Sequence, residues 1–129
     1  MEKKYILGID AGGTKVAYGL FDREGELLDK YQHPTNIEAD GPAFSDELVV
    51  MIHRILTEHG ASLDEIIGVG ICMPSYIRFE SGYIHMTSAM VSIKDFAMRD
   101  YLEERLGVKV LLDNDSNAAA LAEFRRGAG

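Results

Sequence analysis

The chain has 129 residues, 47% of them apolar, and a formal charge of −8 at neutral pH, a balance that suits one folded domain with a real core. So acidic a surface repels phosphate backbones and argues against nucleic acid as a direct partner, although small anions can still bind where backbone N–H groups converge. Cys72 is the single cysteine, which excludes an internal disulfide or a cysteine-built zinc cage and fits a reducing compartment.

The amino end, Met1-Glu2-Lys3-Lys4, is basic, but the apolar run behind it stops at Asp10. That run is too short for a signal peptide, and no stretch approaches the roughly 18 apolar residues of a membrane helix. The expected location is the cytoplasm, with no membrane partner.

Tyr5 to Ile9 predicts a first strand, and Ala11-Gly12-Gly13 a turn after it. Val16 to Phe21 predicts a second strand, Asp22-Arg23-Glu24-Gly25 a second turn, and Glu26 to Gln32 a third strand, together an antiparallel meander. A polar loop over Pro34 to Pro42 follows. From about Ala43 to His59 the apolar positions Phe44, Leu48, Met51, Ile52, Ile55 and Leu56 recur at helical spacing, and Gly60 is the expected stop. Ile66 to Met73 is a nearly continuous apolar run, as in a central strand buried on both faces, and Pro74 ends it. Ser75 to Val91 shows no clear period beyond a hairpin turn at Phe79-Glu80-Ser81-Gly82-Tyr83. A helix is predicted over Lys94 to Leu106, stopped by Gly107, and a buried strand over Val108 to Leu112. Asp113-Asn114-Asp115 leads out of it into an alanine-rich helix, Ser116 to Arg126. The order βββαβαβα implies an α/β domain with a mixed five-stranded sheet flanked by helices. The chain shows no internal repeat or linker.

Two strings can carry chemistry. Gly8-Ile9-Asp10-Ala11-Gly12-Gly13-Thr14-Lys15 is not a Walker A loop, because the lysine follows the threonine and a strand follows the turn. Its glycines can still let backbone N–H groups converge on a phosphate with no side chain in the way. Asp10, at the strand end, can orient a hydrated magnesium ion, and Thr14 can donate its hydroxyl to a phosphate oxygen. The plainer alternative is an ordinary tight hairpin with glycine at positive φ. The second string, Asp113-Asn114-Asp115-Ser116-Asn117, lies where sites of open α/β sheets gather, at the carboxyl end of a strand. Asp115 can act as a general base toward an alcohol attacking a phosphoryl group, or serve only as the cap of the following helix.

Together with Gly68-Val69-Gly70-Ile71-Cys72-Met73-Pro74 and Leu102-Glu103-Glu104-Arg105-Leu106-Gly107, these strings, the second continuing through Ala118 to Glu123, resemble the ROK family of repressors, open reading frames and kinases. The resemblance covers nearly the whole chain, in order and spacing. It implies an actin-like, ribonuclease-H-like fold. It also implies that Asp10, Gly12, Gly13, Thr14 and Lys15 hold the ATP phosphates, with magnesium met by Asp10 through water. Asp115 would be the catalytic base and Asn114 a donor to a sugar hydroxyl, and the strand ending at Pro74 would wall the sugar pocket. Two substrate positions depart from the family. Ser75 stands where glycine is usual, and Ala89 where an asparagine usually binds sugar hydroxyls, a loss that can change substrate choice greatly.

The resemblance further implies that residues 1–129 are an amino-terminal lobe. The second lobe, absent here, would supply the adenosine site, a second phosphate loop, a His/Glu sugar clamp and any Cys/His zinc site. The expected activity is ATP-dependent phosphorylation of a hexose or N-acylhexosamine, glucokinase-like, by a longer, homodimeric parent. The isolated chain is expected to be inactive and to self-associate. The alternatives are a sugar-sensing ROK regulator and a degenerate, non-catalytic lobe. The strand opening near Lys4 leaves no room for the helix-turn-helix that precedes the fold in the repressors, while Ser75 and Ala89 suggest the degenerate lobe. His33, His53, His59 and His85 share no metal-ligand spacing, and Cys72 reads as an inert core residue.

Overall fold

The computed structural model of the chain describes residues 3–73, 75–78, 83–87 and 92–113. The expected meander consists of β1 (Tyr5–Ala11), β2 (Lys15–Asp22) and β3 (Leu27–Pro34), paired antiparallel. Between β2 and β3 the Asp22 carboxylate accepts from the N–H groups of Glu24 and Glu26 at 3.0 and 2.9 Å. Gly25 takes a φ of 91° there, which a β-carbon would strain.

Helix α1 (Gly41–His59) opens two residues earlier than the apolar period alone implies. Asp40 is its cap, accepting from the Ala43 N–H at 2.9 Å. Pro42, expected as the last loop residue, sits inside the first turn, where a missing N–H costs nothing. Gly60 ends the helix in the left-handed region, as its position suggested. One 3-10 turn (Leu63–Glu65) then leads into β4 (Ile66–Cys72), which runs parallel to β1.

The stretch after β4 is where the structure departs from expectation. β5 (Ser75–Arg78), β6 (Tyr83–Thr87) and β7 (Lys94–Ala97) form a small antiparallel sheet in that order. The helix predicted from Lys94 therefore starts only at Met98, as α2 (Met98–Leu106). Lys94–Ala97 pairs with β6 instead, with Phe96 opposite Ile84, and Asp95 has a φ of 50° that no right-handed helix accepts. β8 (Lys109–Asp113) then joins β4 in parallel. The described elements thus run βββαββββαβ, with a five-stranded mixed sheet of order β3-β2-β1-β4-β8. The helix predicted over Ser116 to Arg126, and Phe79 to Gly82 of the predicted hairpin turn, lie outside the described residues.

Register divides the sheet into two faces. Leu20, Leu7, Val69 and Val110 form one cross-strand row, and Tyr18, Ile9, Ile71 and Leu112 the next. All eight belong to the buried cluster that also takes Phe44, Leu48, Ile52 and Ile55 from α1 and Met98, Leu102 and Leu106 from α2. Each such aliphatic side chain contributes about 2 kcal/mol when fully buried, so this face fixes the register of all four strands. The opposite face carries the row Gly19, Gly8, Gly70, Leu111 and, beyond it, Ala17, Asp10, Cys72, Asp113. Cys72 is buried, as expected of a core residue.

The small sheet meets α1 through Phe96. A β-carbon on Gly41 would lie 2.5 Å from two carbons of that ring, so the ring packs directly on the helix start. α2 is tied to α1 by polar contacts. Tyr101 donates its hydroxyl to Asp46 Oδ1 at 2.8 Å, and the Arg105 guanidinium lies 3.4 Å over the Tyr101 ring.

Candidate functional site

Parallel strands bring their carboxyl ends to one edge of a sheet, and in open α/β sheets that edge is where ligands bind. Here Asp10 of β1 is opposite Cys72 of β4, and Cys72 is opposite Asp113 of β8. Three parallel strands therefore finish level. Neighbouring strands lie about 4.8 Å apart, so the backbone at 10 and at 113 is separated by about 10 Å. The glycine turn begins two residues after Asp10, and Asp115 follows two residues after Asp113. The chain thus leaves β1 and β8 at the same edge.

The turn itself is a closed hairpin end. Ala11 is opposite Val16, and the Gly12 N–H donates to the Lys15 carbonyl at 3.0 Å. That amide is committed to the hairpin and cannot serve a ligand, so the convergence of N–H groups expected for the whole turn excludes Gly12. Among the described residues no hydrogen bond engages the N–H of Gly13 or Thr14. The simpler explanation of the glycines also changes. Among the described residues the positive-φ glycines are Gly25, Gly60 and Gly107, so neither Gly12 nor Gly13 is there for left-handed backbone. At Gly12 the constraint is room, because a β-carbon would sit 3.3 Å from the Lys15 carbonyl oxygen.

Asp10, Gly13, Thr14 and Lys15 are all exposed at this edge, while Ala11 between them is buried and anchors the strand end. The edge therefore gathers a carboxylate, a hydroxyl and an ammonium around two amide donors. That set can receive a polyanion with a bound cation. No group of three or more His, Cys, Asp or Glu forms a metal cluster among the described residues. The donors fit magnesium carried in on phosphate oxygens and met by Asp10 through water, since this ion keeps several waters and takes few protein ligands.

The remaining expected site residues divide. Ser75 opens β5 opposite Thr87 of β6, three positions beyond the end of β4. Pro74, Ala89, Asn114 and Asp115 lie outside the described residues. One residue that the sequence reading did not select enters the site. Thr35, just beyond β3, donates its hydroxyl to the Gly12 carbonyl at 2.7 Å and its N–H to the Thr14 carbonyl at 3.0 Å. No period or spacing in the sequence marks it, because its partners are more than twenty positions away.

A family model described as the ROK family matches residues 6–129. A glucokinase of Halalkalibacterium halodurans is 33% identical over all of this chain and 39% of its own length. A xylose repressor of Bacillus subtilis is 30% identical over 92% of this chain and 30% of its own. Among solved structures, a ROK family glucokinase from Streptomyces griseus in complex with glucose and AMPPNP superposes with a TM-score of 0.73 at 29% identity, covering 97% of this chain and 38% of that one. The chain spans under two fifths of the length of these relatives.

Proposed function

The chain belongs to the ROK family, and from that premise we propose that it is the amino-terminal lobe of a sugar kinase that transfers the γ-phosphoryl group of ATP to a hexose or N-acylhexosamine. The observation that carries this reading is the level finish of β1, β4 and β8, with Asp10, Cys72 and Asp113 in register. It brings the glycine turn and the segment leading to Asp115 to one edge of the sheet. The kinase relatives that match across the chain support the same chemistry.

In this reading the sugar and nucleotide meet at that edge, between this lobe and a second one. The Gly13 and Thr14 amides, the Thr14 hydroxyl and the Lys15 ammonium hold phosphate oxygens and stabilise the charge that spreads over them during transfer. Magnesium, carried by the phosphates and oriented by Asp10, offsets the charge of the transferred group. Asn114 orients the sugar by a hydroxyl, Pro74 and Ser75 line its pocket, and Asp115 accepts the proton of the attacking hydroxyl. Ala89 offers no hydrogen bond, so the sugar is selected by shape at that point. The isolated chain, lacking the rest of the nucleotide site, does not turn over.

The repressor relative supports a second reading, a sugar-responsive regulator in which the same edge binds sugar without chemistry. A panel of hexoses and N-acylhexosamines tested with Mg·ATP and the longer protein separates the two. Sugar-dependent ADP formation is expected with at least one member, and with none from the 129-residue chain alone. Sugar binding without turnover by the longer protein would replace the kinase with the regulator.

A further inference from the structure

Thr35 holds two carbonyl groups of the glycine turn at once. Its part-buried hydroxyl donates to the Gly12 oxygen at 2.7 Å, and its N–H donates to the Thr14 oxygen at 3.0 Å. The described backbone contains no cis peptide, and in a planar trans peptide the C=O of one residue and the N–H of the next point in opposite directions. Drawing the Gly12 oxygen toward Thr35 therefore turns the Gly13 N–H away from it. Drawing the Thr14 oxygen the same way turns the Lys15 N–H away as well.

The two bonds differ in kind. The N–H bond from Thr35 to Thr14 continues the β2–β3 ladder, which pairs Lys15 with Pro34, and any residue at 35 other than proline can make it. The hydroxyl bond is an addition specific to this side chain. It acts on the peptide between Gly12 and Gly13, two residues without β-carbons and thus the least restrained peptide of the turn. Rotated by half a turn, that peptide would present a carbonyl oxygen where it now presents an N–H. An anion there would meet repulsion in place of a hydrogen bond.

We infer that Thr35 is a positioning residue, whose hydroxyl locks the Gly12–Gly13 peptide so that the Gly13 N–H faces the incoming phosphates. The inference rests on the reading of this turn as a phosphate cradle, and it adds a residue from β3's exit to the machinery of β1 and β2. It also explains why the turn needs no positive φ at its glycines. Their freedom is taken up by a hydrogen bond from outside the hairpin.

The test is an amide-resolved NMR titration of the 129-residue chain with magnesium tripolyphosphate, run on the unmodified protein, Thr35→Val and Thr35→Ser. Serine keeps the hydroxyl, whereas valine keeps the shape and removes it. The unmodified chain and Thr35→Ser should bind with similar affinity and shift the Gly13 resonance. Thr35→Val should bind about fivefold more weakly, the loss of one hydrogen bond of ordinary strength, with the Gly13 shift reduced most. A fold that merely needed a threonine here would lose melting temperature in both variants and lose affinity in neither. Thr35→Ala, which adds no bulk, carries the same expectation if the valine variant fails to fold. Unchanged affinity in the folded hydroxyl-free variant would overturn the role of Thr35 alone. No shift at Gly13 or Thr14 in the unmodified chain would overturn the phosphate cradle and the inference with it.

Discussion

At the scale of single residues, the buried Tyr18 phenol is held by a specific partner, whereas the buried Ser45 hydroxyl has no hydrogen-bond partner among the described residues. Tyr18 is 2% exposed, yet it carries a phenol into the core. Its oxygen lies 2.8 Å from His33 Nε2, and His33 Nδ1 lies 2.9 Å from the Pro34 carbonyl. A carbonyl only accepts, so Nδ1 carries the proton, and in the neutral ring Nε2 accepts from the Tyr18 hydroxyl. Burial, reinforced by the nearby Glu47 carboxylate, pushes the Tyr18 phenol well above its ordinary value near 10. A phenol that is harder to ionise when folded contributes stability that is complete below its unfolded pKa. That contribution is lost as pH rises from there toward the folded value. Urea midpoints should therefore fall above about pH 10, and Tyr18→Phe should flatten that fall while costing about 1 kcal/mol near neutrality, where Nε2 loses its donor. An alkaline slope identical in both proteins would assign it to the exposed tyrosines instead. The residues of this chain differ in how far the sequence announces them. Tyr18 is visible as an apolar strand position, but its partner His33 and the Thr35 latch are not. Both depend on contacts across the β2–β3 pair that leave no local pattern.

At the scale of elements, the glycine stops of both helices and the pairing of β5 with β6 were readable, and the Asp40 cap and β7 were not. Gly60 and Gly107 end α1 and α2 in the left-handed region where a β-carbon is unwelcome. Such stops are set by the few residues around them, so the sequence alone reveals them. The boundary between β7 and α2 is different. Its position depends on pairing with β6, and a four-residue strand has too little length for a period of two to declare itself. The same pairing places Phe96 of the small sheet against the start of α1. Gly41→Ala would drive a methyl into that ring, at an expected cost of about 1–3 kcal/mol from overpacking. In a Phe96→Ala background the same change should cost little, because the ring that it meets is gone. Equal costs of Gly41→Ala in the two backgrounds, measured by chemical denaturation, would show that the helix start and not the ring sets the requirement for glycine.

At the scale of the whole molecule, three parallel strands end level at one edge of the sheet, and the proposed function rests on that. The alternating and unbroken apolar runs foretold a mixed sheet, because cross-strand rows such as Leu20, Leu7, Val69 and Val110 must all reach one core. Beyond the meander of β1 to β3, which strands lie side by side was not legible from those runs, since β1 and β4 are separated by the whole of β2, β3 and α1. The resemblance of four separated strings to one family implied the fold class, and it is the source of the phosphate-binding reading of the glycine turn, but it gave no strand order. The turn shows the same limit in miniature. Its glycines announce a bend, but whether the bend faces phosphate is a property of peptide orientation, which Thr35 sets from another strand. Phosphoryl transfer asks the protein chiefly to position groups and stabilise charge, and this edge offers amide donors, a hydroxyl and a carboxylate that suit that purpose. The most direct measurement is the turnover of Mg·ATP and sugar by the longer protein with and without Asp115→Asn. We expect a loss of about 10²–10⁴-fold in kcat with little change in sugar affinity, as for removal of a general base. A variant that keeps most of its rate would contradict the assignment of Asp115 as the base.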